Sequence, residues 1–540
     1  MEAFDHIVVG GGASGCVVAA RLAAEGDARV LLLEAGYSHH HPLLDMPPGI
    51  FKMINGSKYM RYHRTVPQPH FHGRQHDIPQ GHVLGGGSTV NGQVYMRGRP
   101  SDYDRWDAAL RGSQDYVPWG FADVLQSFTG MEDNNRLLNE YHGVGGPLKV
   151  SDPGYIDPLS RDWVQAVQAM GEPFNSDFCG PSQRGAGYYQ FMNRDGKRSS
   201  SAYSHVEPLK NNPNLTVRLQ SEVHRILLDA GRAVGVIYAD SKGALHEVRT
   251  EGEVIVTAGA LVTPKILMLS GIGPADHLRE VGVEVAHDLP GVGNNLIDHP
   301  EVPITAYTNG PYGYFKQGDG WRMILNGLQF KLFGSGRVCS TGVECGAFVN
   351  PIDRDAPPSI QTFCVGMVYI DRDAQHLVED RHGMTVTTVV LQPKSRGWVR
   401  LASDRPGDMP LVNPNLLSHE DDMETMVAGQ RFFCDVFSKK PLASKIERLV
   451  LPDAASRASD EGFREHCRRF VKTNYHPCAT AKMGHDNDPM AVLDSRLRVR
   501  GIDGLRICDM SAAPDIVAGN TNAPAMMIAD RCADMIMGRL

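Results

Sequence analysis

The segment HIVVGGGASGCVVAARLAAEGDARVLLLE, residues 6–34, contains four successive patterns. Residues 6–9 form a short apolar run, and a glycine-rich turn follows it. Residues 16–24 carry small and apolar side chains at helical spacing, and a second apolar run at 30–33 ends at Glu34. This order predicts a strand, a tight turn, a helix and a second strand.

The turn has the G-x-G-x-x-G spacing of a dinucleotide site. Gly10 and Gly12 let the chain turn tightly and approach a pyrophosphate without an intervening side chain. Gly15 lets the helix pack closely against the strand. Because the turn stands between a predicted strand and a predicted helix, we expect it to bind a dinucleotide rather than to be a structural turn alone.

The residues around the turn supply the polar groups of such a site. The helix N-terminus at Ala13 and Ser14 would offer unpaired N–H groups to the phosphates. Glu34 ends the second strand, where a carboxylate accepts hydrogen bonds from the adenosine ribose and repels a 2′-phosphate. These residues disfavour NADP, but they do not distinguish NAD from FAD because both contain the same ADP half.

Length and composition limit the other possibilities. A chain of 540 residues exceeds one compact module of about 100–200 residues. A net charge of −8, without a basic block, argues against nucleic acid as a partner. No run of about 18 apolar residues occurs, and no basic region opens the chain. We therefore expect a cytoplasmic protein without a membrane span.

Cysteine and histidine give no metal or disulfide pattern. The ten cysteines include no C-x-x-C pair, so we expect reduced, mostly buried thiols. Histidines crowd residues 39–41 and 63–82, but no carboxylate stands at a fixed helical spacing from them. We predict no metal site there, and we interpret these histidines as polar loop or pocket-lining residues.

Two further glycine-rich segments follow. Residues 81–98 read GHVLGGGSTVNGQVYMRG, in which three glycines precede Ser-Thr and could present N–H groups to a second polar ligand segment. Residues 259–273 read GALVTPKILMLSGIG and begin just after an apolar run at 254–256. Taken alone, the first is also compatible with a flexible linker and the second with a strand, turn and helix that bind nothing.

Together these segments resemble the glucose–methanol–choline (GMC) oxidoreductase family of flavoenzymes. Residues 81–104 and 259–273 match the two signature segments of that family, and only His82 in the first departs from them. The resemblance covers nearly the whole chain and continues through residues 289–299, 393–401, 475–484, 504–514 and 519–524. Within the family, residues 41–49 and 97–104 are most similar to the bacterial L-sorbose dehydrogenase and alcohol dehydrogenase branch.

The resemblance implies an α/β fold. In it, a Rossmann-like FAD-binding domain is interleaved with an α+β substrate-binding domain on a mostly antiparallel sheet. We place the FAD-binding domain at residues 1–155, 200–300 and 479–540 and the substrate-binding domain at 156–199 and 301–478. The interleaving would bring phosphate-binding glycines near the start of the chain to reacting residues near its end, and a small-molecule pocket would lie between the domains.

The resemblance also assigns cofactor contacts. It implies FAD rather than NAD. The implied contacts, in addition to those of the first turn, are Gly85, Gly86, Ser88, Asn91, Gly92, Val94, Val223, Ala258, Asp509 and Thr521. Val90 occupies the position at which some members carry a histidine that attaches FAD covalently. Because valine has no nucleophile, we expect noncovalent FAD.

His476 and Asn520 are the catalytic residues that the resemblance implies. Imidazole has an ordinary pKa of about 6.5, so a neutral His476 can take the hydroxyl proton while hydride leaves for flavin N5. The Asn520 amide can donate to the substrate oxygen without competing for that proton. Asn522 is expected to cap a helix at 525–537 with Pro524 in its first turn, so that the helix N-terminus favours negative charge on the reduced flavin.

The expected activity is oxidation of a sugar, polyol or other alcohol to the carbonyl. Electrons would pass to a quinone, a dye or O₂, and the sequence does not distinguish among these acceptors or name the alcohol. Three alternatives stay open: an FAD-containing hydroxynitrile lyase, a flavoprotein without catalysis and an NAD-dependent dehydrogenase. The sequence predicts no oligomeric state.

Overall fold

The computed structural model describes residues 4–26, 28–54 and 56–540. Its strands are β1 Phe4–Val9, β2 Val30–Leu33, β3 Met60–Arg64, β4 Asp77–Gly81, β5 Glu132–Asn134, β6 Leu148–Val150, β7 Gly185–Tyr188, β8 Asn193–Arg194, β9 Lys197–Arg198, β10 Leu215–Arg218, β11 Glu222–Asp229, β12 Arg232–Ala239, β13 Leu245–Val256, β14 Ile272–Gly273, β15 His287–Asp288, β16 Pro300–Thr308, β17 Cys345–Val349, β18 Ile360–Val365, β19 Gly383–Val390, β20 Trp398–Arg400, β21 Leu411–Asn413, β22 Ile446–Leu451, β23 Lys472–Thr473 and β24 Leu505–Ile507. Its α-helices are α1 Ala13–Glu25, α2 Pro42–Asp45, α3 Ile50–Met53, α4 Gly87–Val90, α5 Pro100–Ala108, α6 Phe121–Met131, α7 Pro158–Ala169, α8 Thr263–Leu269, α9 Ala275–Glu280, α10 Gly320–Phe333, α11 Glu420–Val436, α12 Asp460–Phe470 and α13 Asn522–Ile536.

The first of two large sheets is built around the predicted glycine-turn unit. β1 pairs parallel with β2 and with the C-terminal half of β13, and β2 pairs parallel with β10. β24 adds a further parallel strand beside β13, whereas β11 and β12 join by antiparallel pairing. The order β10-β2-β1-β13-β12-β11 therefore brings strands from both ends of the chain into one seven-stranded sheet.

The second large sheet is antiparallel throughout. Its order is β22-β16-β19-β18-β17-β7, and the short β23 pairs with the start of β16. Trp163 of α7, Phe433 of α11 and Phe463 of α12 pack with side chains of this sheet in one buried cluster. The predicted fold class, a Rossmann-like unit with an α+β unit on a mostly antiparallel sheet, is confirmed.

The two sheets are not separated by a sharp boundary. Strands of the first lie within residues 4–256 and 505–507, and strands of the second lie within 185–188 and 300–473. Phe348 and Phe363 of the second sheet nevertheless belong to the same buried cluster as β1 and β2. Because the core is shared, the domain limits given above stay a prediction.

The last helix of the chain, α13, begins earlier than predicted. α13 starts at Asn522, and Thr521 stands in the capping position with no side-chain hydrogen bond. The Ala525 N–H donates to the Thr521 carbonyl, so helical bonding starts at Thr521 and the predicted Asn522 cap is wrong. The Asn522 amide instead lies 3.1 Å from the Met192 sulfur.

Two other expectations concern the whole chain. All ten cysteines are buried and unpaired. Within residues 4–26, 28–54 and 56–540, no helix has both the length and the apolar character that crossing a bilayer requires.

Candidate functional site

Four parallel strands end at one edge of the first sheet and open onto a single cavity. Gly10, Glu34, Ala258 and Asp509 lie within two residues of the ends of β1, β2, β13 and β24, and all four line this cavity. Ligands of open parallel sheets bind at this carboxyl edge. The topology therefore brings together four predicted cofactor contacts that are far apart in the sequence.

The first two glycine segments pack against each other at this edge. The Gly85 N–H donates to the Gly11 carbonyl at 2.7 Å. A Cβ atom on Gly86 would lie 2.8 Å from the Gly12 Cα atom, and one on Gly15 would lie 1.9 Å from the Gly10 carbonyl oxygen. A side chain at Gly86 would force the two turns apart, and one at Gly15 would force α1 away from its own turn, so both glycines are required by contact.

The residues at this edge fit a dinucleotide pyrophosphate. A Cβ atom added to Gly12, which lines the cavity, would meet only the Thr257 carbonyl oxygen within 4 Å, at 3.7 Å. The space beyond Gly12 is therefore cavity rather than protein. The N-termini of α1 and α13 have no side-chain cap, and Ala13, Ser14, Thr521 and Asn522 line the cavity. Uncapped helix N-termini that face one space are suited to bind an anionic group.

Glu34 is positioned for a ribose. Its carboxylate oxygens accept hydrogen bonds from the Gly11 N–H at 2.8 Å and from the Gly36 N–H at 2.7 Å. Burial raises the pKa of Glu34 to about 7, although both N–H donors act to lower it. Each oxygen keeps a lone pair for a further donor, such as a ribose hydroxyl.

Most of the other predicted cofactor contacts also line the cavity. This group comprises Gly86, Asn91, Gly92, Val94 and Val223. Val90 also lines the cavity. Three predicted contacts do not line it: Gly15, Gly85 and Ser88. The Ser88 hydroxyl donates to the Gly85 carbonyl at 2.6 Å and lies 3.0 Å from the Ser201 hydroxyl, so it stabilises the turn instead.

Asp509 reaches the cavity with a carboxylate that the protein already occupies. One oxygen accepts from the Gly259 N–H and the Thr263 hydroxyl, and the other accepts from the N–H and hydroxyl of Ser511. A carboxylate has about four acceptor sites, and all are used here. The side chain therefore fixes the third glycine segment rather than offering an acceptor to the cofactor.

His476 lies in the same cavity, on an irregular stretch that follows β23. Pro300 of β16 pairs with Thr473, and Ile297 pairs with Cys478. Cys478 is five residues after Thr473, whereas Pro300 is only three residues after Ile297. The segment 473–478 therefore contains two more residues than the segment it pairs with. The bulge contains Tyr475 in the left-handed region, at φ 64°. Bulges redirect side chains, and this one presents His476 to the cavity.

The predicted catalytic pair is formed. The Asn520 amide nitrogen lies 3.2 Å from His476 Nε2. The Gln361 amide donates to the Asn520 oxygen at 3.2 Å and so orients the Asn520 nitrogen toward the imidazole. Gln361 was not recognised in the sequence, because a glutamine within an apolar strand gives no signal of a role.

A second histidine determines which nitrogen of His476 carries a proton. His299 Nε2 lies 2.9 Å from the Leu391 carbonyl oxygen, which can only accept, so Nε2 of His299 is protonated. Burial lowers the pKa of His299 to about 4, so the ring is neutral and its Nδ1 is an acceptor. His476 Nδ1 lies 2.9 Å away and must be the donor. The lone pair of His476 is therefore on Nε2, the nitrogen beside Asn520.

The surroundings keep His476 neutral. Burial holds the pKa of the His476 imidazole well below its ordinary value. The backbone N–H of His476 donates to one oxygen of the Asp298 carboxyl, and the Thr473 hydroxyl donates to the other. Neutral imidazole with an unprotonated Nε2 is the form that accepts a proton.

A buried charged pair lines the cavity close to the base. Glu301 and Lys472 face each other across the β16–β23 pairing, with Lys472 Nζ 3.3 Å from a Glu301 oxygen. Burial acts to lower the pKa of Lys472, but Glu301, Tyr369 and Tyr475 outweigh it and hold the pKa well above its ordinary value. The ammonium also lies 3.6 Å from an Asp371 oxygen. Neither member of the pair was recognised in the sequence.

The histidine-rich segments divide into two groups. His63 and His82 line the cavity, and burial lowers their pKa values to about 3 and about 4. Outside the cavity, the ligand atoms of His39, His40 and Glu207 all lie within 4.8 Å of one another. The carboxylate near His39 and His40 thus comes from a distant part of the chain, which sequence spacing did not reveal.

Comparison with known proteins identifies the family. Two family models described as GMC oxidoreductase match residues 4–301 and 393–529. The chain belongs to the GMC oxidoreductase family. GMC oxidoreductases are FAD-dependent enzymes that act on CH–OH groups, so FAD is the dinucleotide that the cavity edge accommodates.

Individual GMC oxidoreductases resemble the chain over its full length. It is 37% identical to an alcohol dehydrogenase [acceptor] of Pseudomonas putida, over 99% of this chain and 96% of the relative. It is 34% identical to the mitochondrial choline dehydrogenase of Mus musculus, over 99% of this chain and 90% of that one. Among solved structures, pyridoxine 4-oxidase from Mesorbium loti superposes with a TM-score of 0.87 at 28% identity, covering 98% of both chains.

Proposed function

We propose that this GMC oxidoreductase oxidises an uncharged alcohol to the carbonyl, with His476 as the base. The observation that carries the proposal is the unprotonated Nε2 of a neutral, buried His476 beside the Asn520 amide. The substrate O–H proton goes to His476 Nε2, the Asn520 N–H donates to the substrate oxygen, and C–O becomes C=O as the C–H hydride leaves. Bound FAD supplies the hydride acceptor.

We propose that the FAD is noncovalent and that electrons pass on to a quinone, a dye or O₂. Val90 lines the cavity where an attaching histidine would stand, and its side chain cannot form the bond. Acid precipitation should leave the yellow chromophore in the supernatant. Flavin that stays with the pellet would contradict this part of the proposal.

The preference for an uncharged substrate rests on the Glu301–Lys472 pair. A cationic alcohol would be attracted by the Glu301 carboxylate, but Lys472 already occupies its contact position. The ammonium is buried and is held by a cross-strand pairing, so it cannot move aside without losing its partners. A second cation brought close to it would be repelled, because like charges interact strongly in a cavity of low dielectric.

Two alcohols of the same shape test this preference. Choline and 3,3-dimethyl-1-butanol differ by a quaternary nitrogen in place of carbon, and each is mixed anaerobically with the FAD-loaded enzyme while flavin reduction is recorded. We expect kcat/KM for choline to be at least about tenfold lower. If either alcohol reacts too slowly to measure, the two are compared as competitive inhibitors of a faster alcohol substrate. The ratio of their inhibition constants then replaces the ratio of kcat/KM. A choline preference in the wild type would contradict the uncharged-substrate proposal.

Variants localise the effect. Lys472→Met should shift the ratio toward choline by at least about tenfold, because it exposes the Glu301 carboxylate to the substrate. Adding Glu301→Gln to that variant should cancel the shift. Lys265→Met is the matched control, since Lys265 is also a buried lysine of the cavity but lies at its cofactor end. If Lys265→Met shifted the choline ratio equally, a lysine charge would affect the choice of substrate at a distance, without contact with the substrate.

Alcohol oxidation itself is tested separately. An anaerobic panel of sugars, polyols and simple alcohols should bleach the flavin with at least one member. If none bleaches it while a cyanohydrin is cleaved, the protein is a hydroxynitrile lyase type of enzyme instead. This outcome is distinct from an active oxidoreductase that fails to discriminate choline from its uncharged analogue.

A further inference from the structure

Helix α10, Gly320–Phe333, presents its apolar side chains to solvent. Seven of the fifteen exposed large hydrophobic residues of the described chain belong to it. Trp321, Leu325, Leu328 and Leu332 are 66%, 55%, 48% and 67% exposed. With 3.6 residues per turn, the spacing of these four places them on one side of the helix, and Ile324 borders them. This apolar stripe is continuous over the length of the helix.

The opposite side of α10 faces the protein. The Asn326 amide donates to the Gln317 carbonyl at 2.9 Å. The Phe330 ring packs so closely on Gly196 that a Cβ atom there would lie 2.4 Å from it. Phe330 thus holds the opposite side of the helix against the protein, although Met323 on that side is 49% exposed, and the apolar stripe lies away from the core. Exposed patches of this kind mark contact sites rather than ordinary surface.

The charges on α10 indicate what covers the stripe. Arg322 and Lys331 lie on the two flanks of the stripe, and residues 320–333 include no carboxylate. Among the described residues, no ion pair involves either cation, and the Arg322 guanidinium lies 5.5 Å from the centroid of the Trp321 ring. A second copy of the helix could pair at most one of the two cations of each chain, through Asp319 at the helix cap, and would bring the other against a cation. Anionic headgroups flanking an apolar layer would satisfy both the stripe and the cations.

We propose that α10 docks on an anionic membrane surface, with the stripe inserted among the lipid chains and Arg322 and Lys331 at the headgroups. The helix has 14 residues, about 21 Å at 1.5 Å per residue, so it lies on the bilayer and does not cross it. A tryptophan at one end of the stripe suits the membrane interface. The attachment is peripheral and reversible.

The segment that leads into α10 contacts a short helix whose other side chains line the cavity. Lys52 Nζ donates to the Gly318 carbonyl at 3.1 Å and so connects α3 to the start of α10. Ile50, Phe51 and Ile54, on and beside α3, line the cavity. Docking through α10 therefore sets the wall of the cavity near the lipid surface, where an apolar alcohol or a lipid-dissolved electron acceptor is concentrated.

Vesicle sedimentation of the full-length, FAD-loaded enzyme tests the proposal. We compare vesicles of phosphatidylcholine alone with vesicles that contain about one third phosphatidylglycerol. The enzyme should pellet with the anionic vesicles at least about tenfold more, and less so at ~1 M salt, where the Debye length is about 3 Å. Absence of pelleting, or equal pelleting with neutral vesicles, would overturn the proposal.

Substitutions identify the face. Leu325→Ser with Leu328→Ser should reduce binding to anionic vesicles at least about tenfold. The matched control, Leu138→Ser with Leu245→Ser, removes two leucines that are 75% and 64% exposed elsewhere, and it should bind like the wild type. Equal losses in both variants, or none in either, would contradict docking through α10. Arg322→Gln with Lys331→Gln should remove most of the vesicle binding that is lost at high salt.

Trp321 gives a readout at the helix itself. Trp106, Trp119 and Trp163 are fully buried but Trp398 is only half-buried, so quenching of Trp321 by brominated lipids is measured in a Trp398→Phe background. The quenching should disappear in Trp321→Phe. Analytical ultracentrifugation without vesicles tests whether a second copy of the chain covers α10 instead. If the wild type is a dimer that the Leu325 and Leu328 substitutions dissociate, and if it does not bind vesicles, α10 is an interface between two copies and the proposal is overturned.

Discussion

The two ends of the cavity are built in different ways. At the cofactor end, Gly10, Gly12 and Gly86 act by having no side chain, and apart from the Glu34 carboxylate the polar groups are N–H groups within short contiguous segments. At the substrate end, His476 and Asn520 act through side chains, and their partners come from distant strands. Each glycine segment of the first end is determined by local sequence, although the parallel sheet brings the segments together, whereas the second end exists only when the antiparallel sheet has formed.

This difference predicts different responses to substitution. A side chain added at the cofactor end fills space that the cofactor needs, so binding should be lost. A side chain removed at the substrate end leaves the glycine turns unchanged, so the cofactor should stay bound while the reaction slows. The following four substitutions test whether the two ends separate in this way.

Gly12→Val should have the largest effect. The new side chain would stand in the cavity where the pyrophosphate binds, so the purified protein should contain almost no FAD and show no turnover. Flavin absorbance per chain is the measurement. Gly130→Val is the control, because a Cβ atom there meets nothing within 4 Å. A fully loaded and active Gly12→Val protein would place the phosphates elsewhere.

His476→Ala should separate chemistry from binding. FAD content should stay near that of the wild type, while flavin reduction by the alcohol slows by ~10²–10⁴, the usual contribution of a positioned base. Anaerobic stopped-flow absorbance measures the rate, and flavin released on denaturation measures the content. Reduction at a near-native rate would remove His476 from the mechanism.

Asn520→Ala should have a smaller effect on the same rate. It removes one donor to the reacting oxygen and leaves the base, so we expect a loss of about 1–3 kcal/mol, or roughly 5–150-fold. The measurement is again anaerobic flavin reduction, with His476→Ala beside it. If Asn520→Ala proves the slower protein, the two roles are reversed.

His299 should have the smallest effect and the most specific one. His299→Leu removes the acceptor of the His476 Nδ1–H, and we expect a loss of about tenfold or less in kcat/KM. Because the neutral His299 stabilises the imidazolium form of His476 by accepting its Nδ1–H, removing that acceptor should lower the pKa of His476 further. The base must be neutral, so kcat/KM should fall with decreasing pH only at a lower pH than in the wild type.

The conservative variant separates this role from a merely structural one. The oxygen of an asparagine at position 299 can accept the same proton, so His299→Asn should restore both the rate and the pH profile. A pH profile that does not move in His299→Leu, or an asparagine variant that behaves like leucine, would contradict the tautomer assignment.

The sequence predicts the segments of the cofactor end well because each segment is a contiguous motif. The predicted strand at 30–33 coincides with β2, and the predicted contacts Gly10, Gly12 and Glu34 lie at one sheet edge. Even there, Ser88 turns its hydroxyl into its own turn, which a pattern of residue types does not reveal. The third glycine segment is likewise fixed by Asp509, whose four partners are known only from the folded chain.

The substrate end was predicted only where the resemblance named a residue. His476 and Asn520 were identified in this way, but His299 and Lys472 were given no role. Their functions depend on which residue faces which across the β16–β23 pairing, and this register is not encoded locally. The Asn522 cap failed for a related reason, since helical bonding starts at Thr521.

Because of the two extra residues in the bulge after β23, the length of the segment between Thr473 and Cys478 can indicate whether a protein of this architecture is active. A chain two residues shorter between Thr473 and Cys478 could continue the ladder with Ile297 and Pro300 without interruption, and its sheet would be more regular. It would also withdraw the imidazole from the cavity. Among proteins of this architecture, a deletion at this point should therefore identify those that keep the flavin but no longer oxidise alcohols, before any substitution is considered.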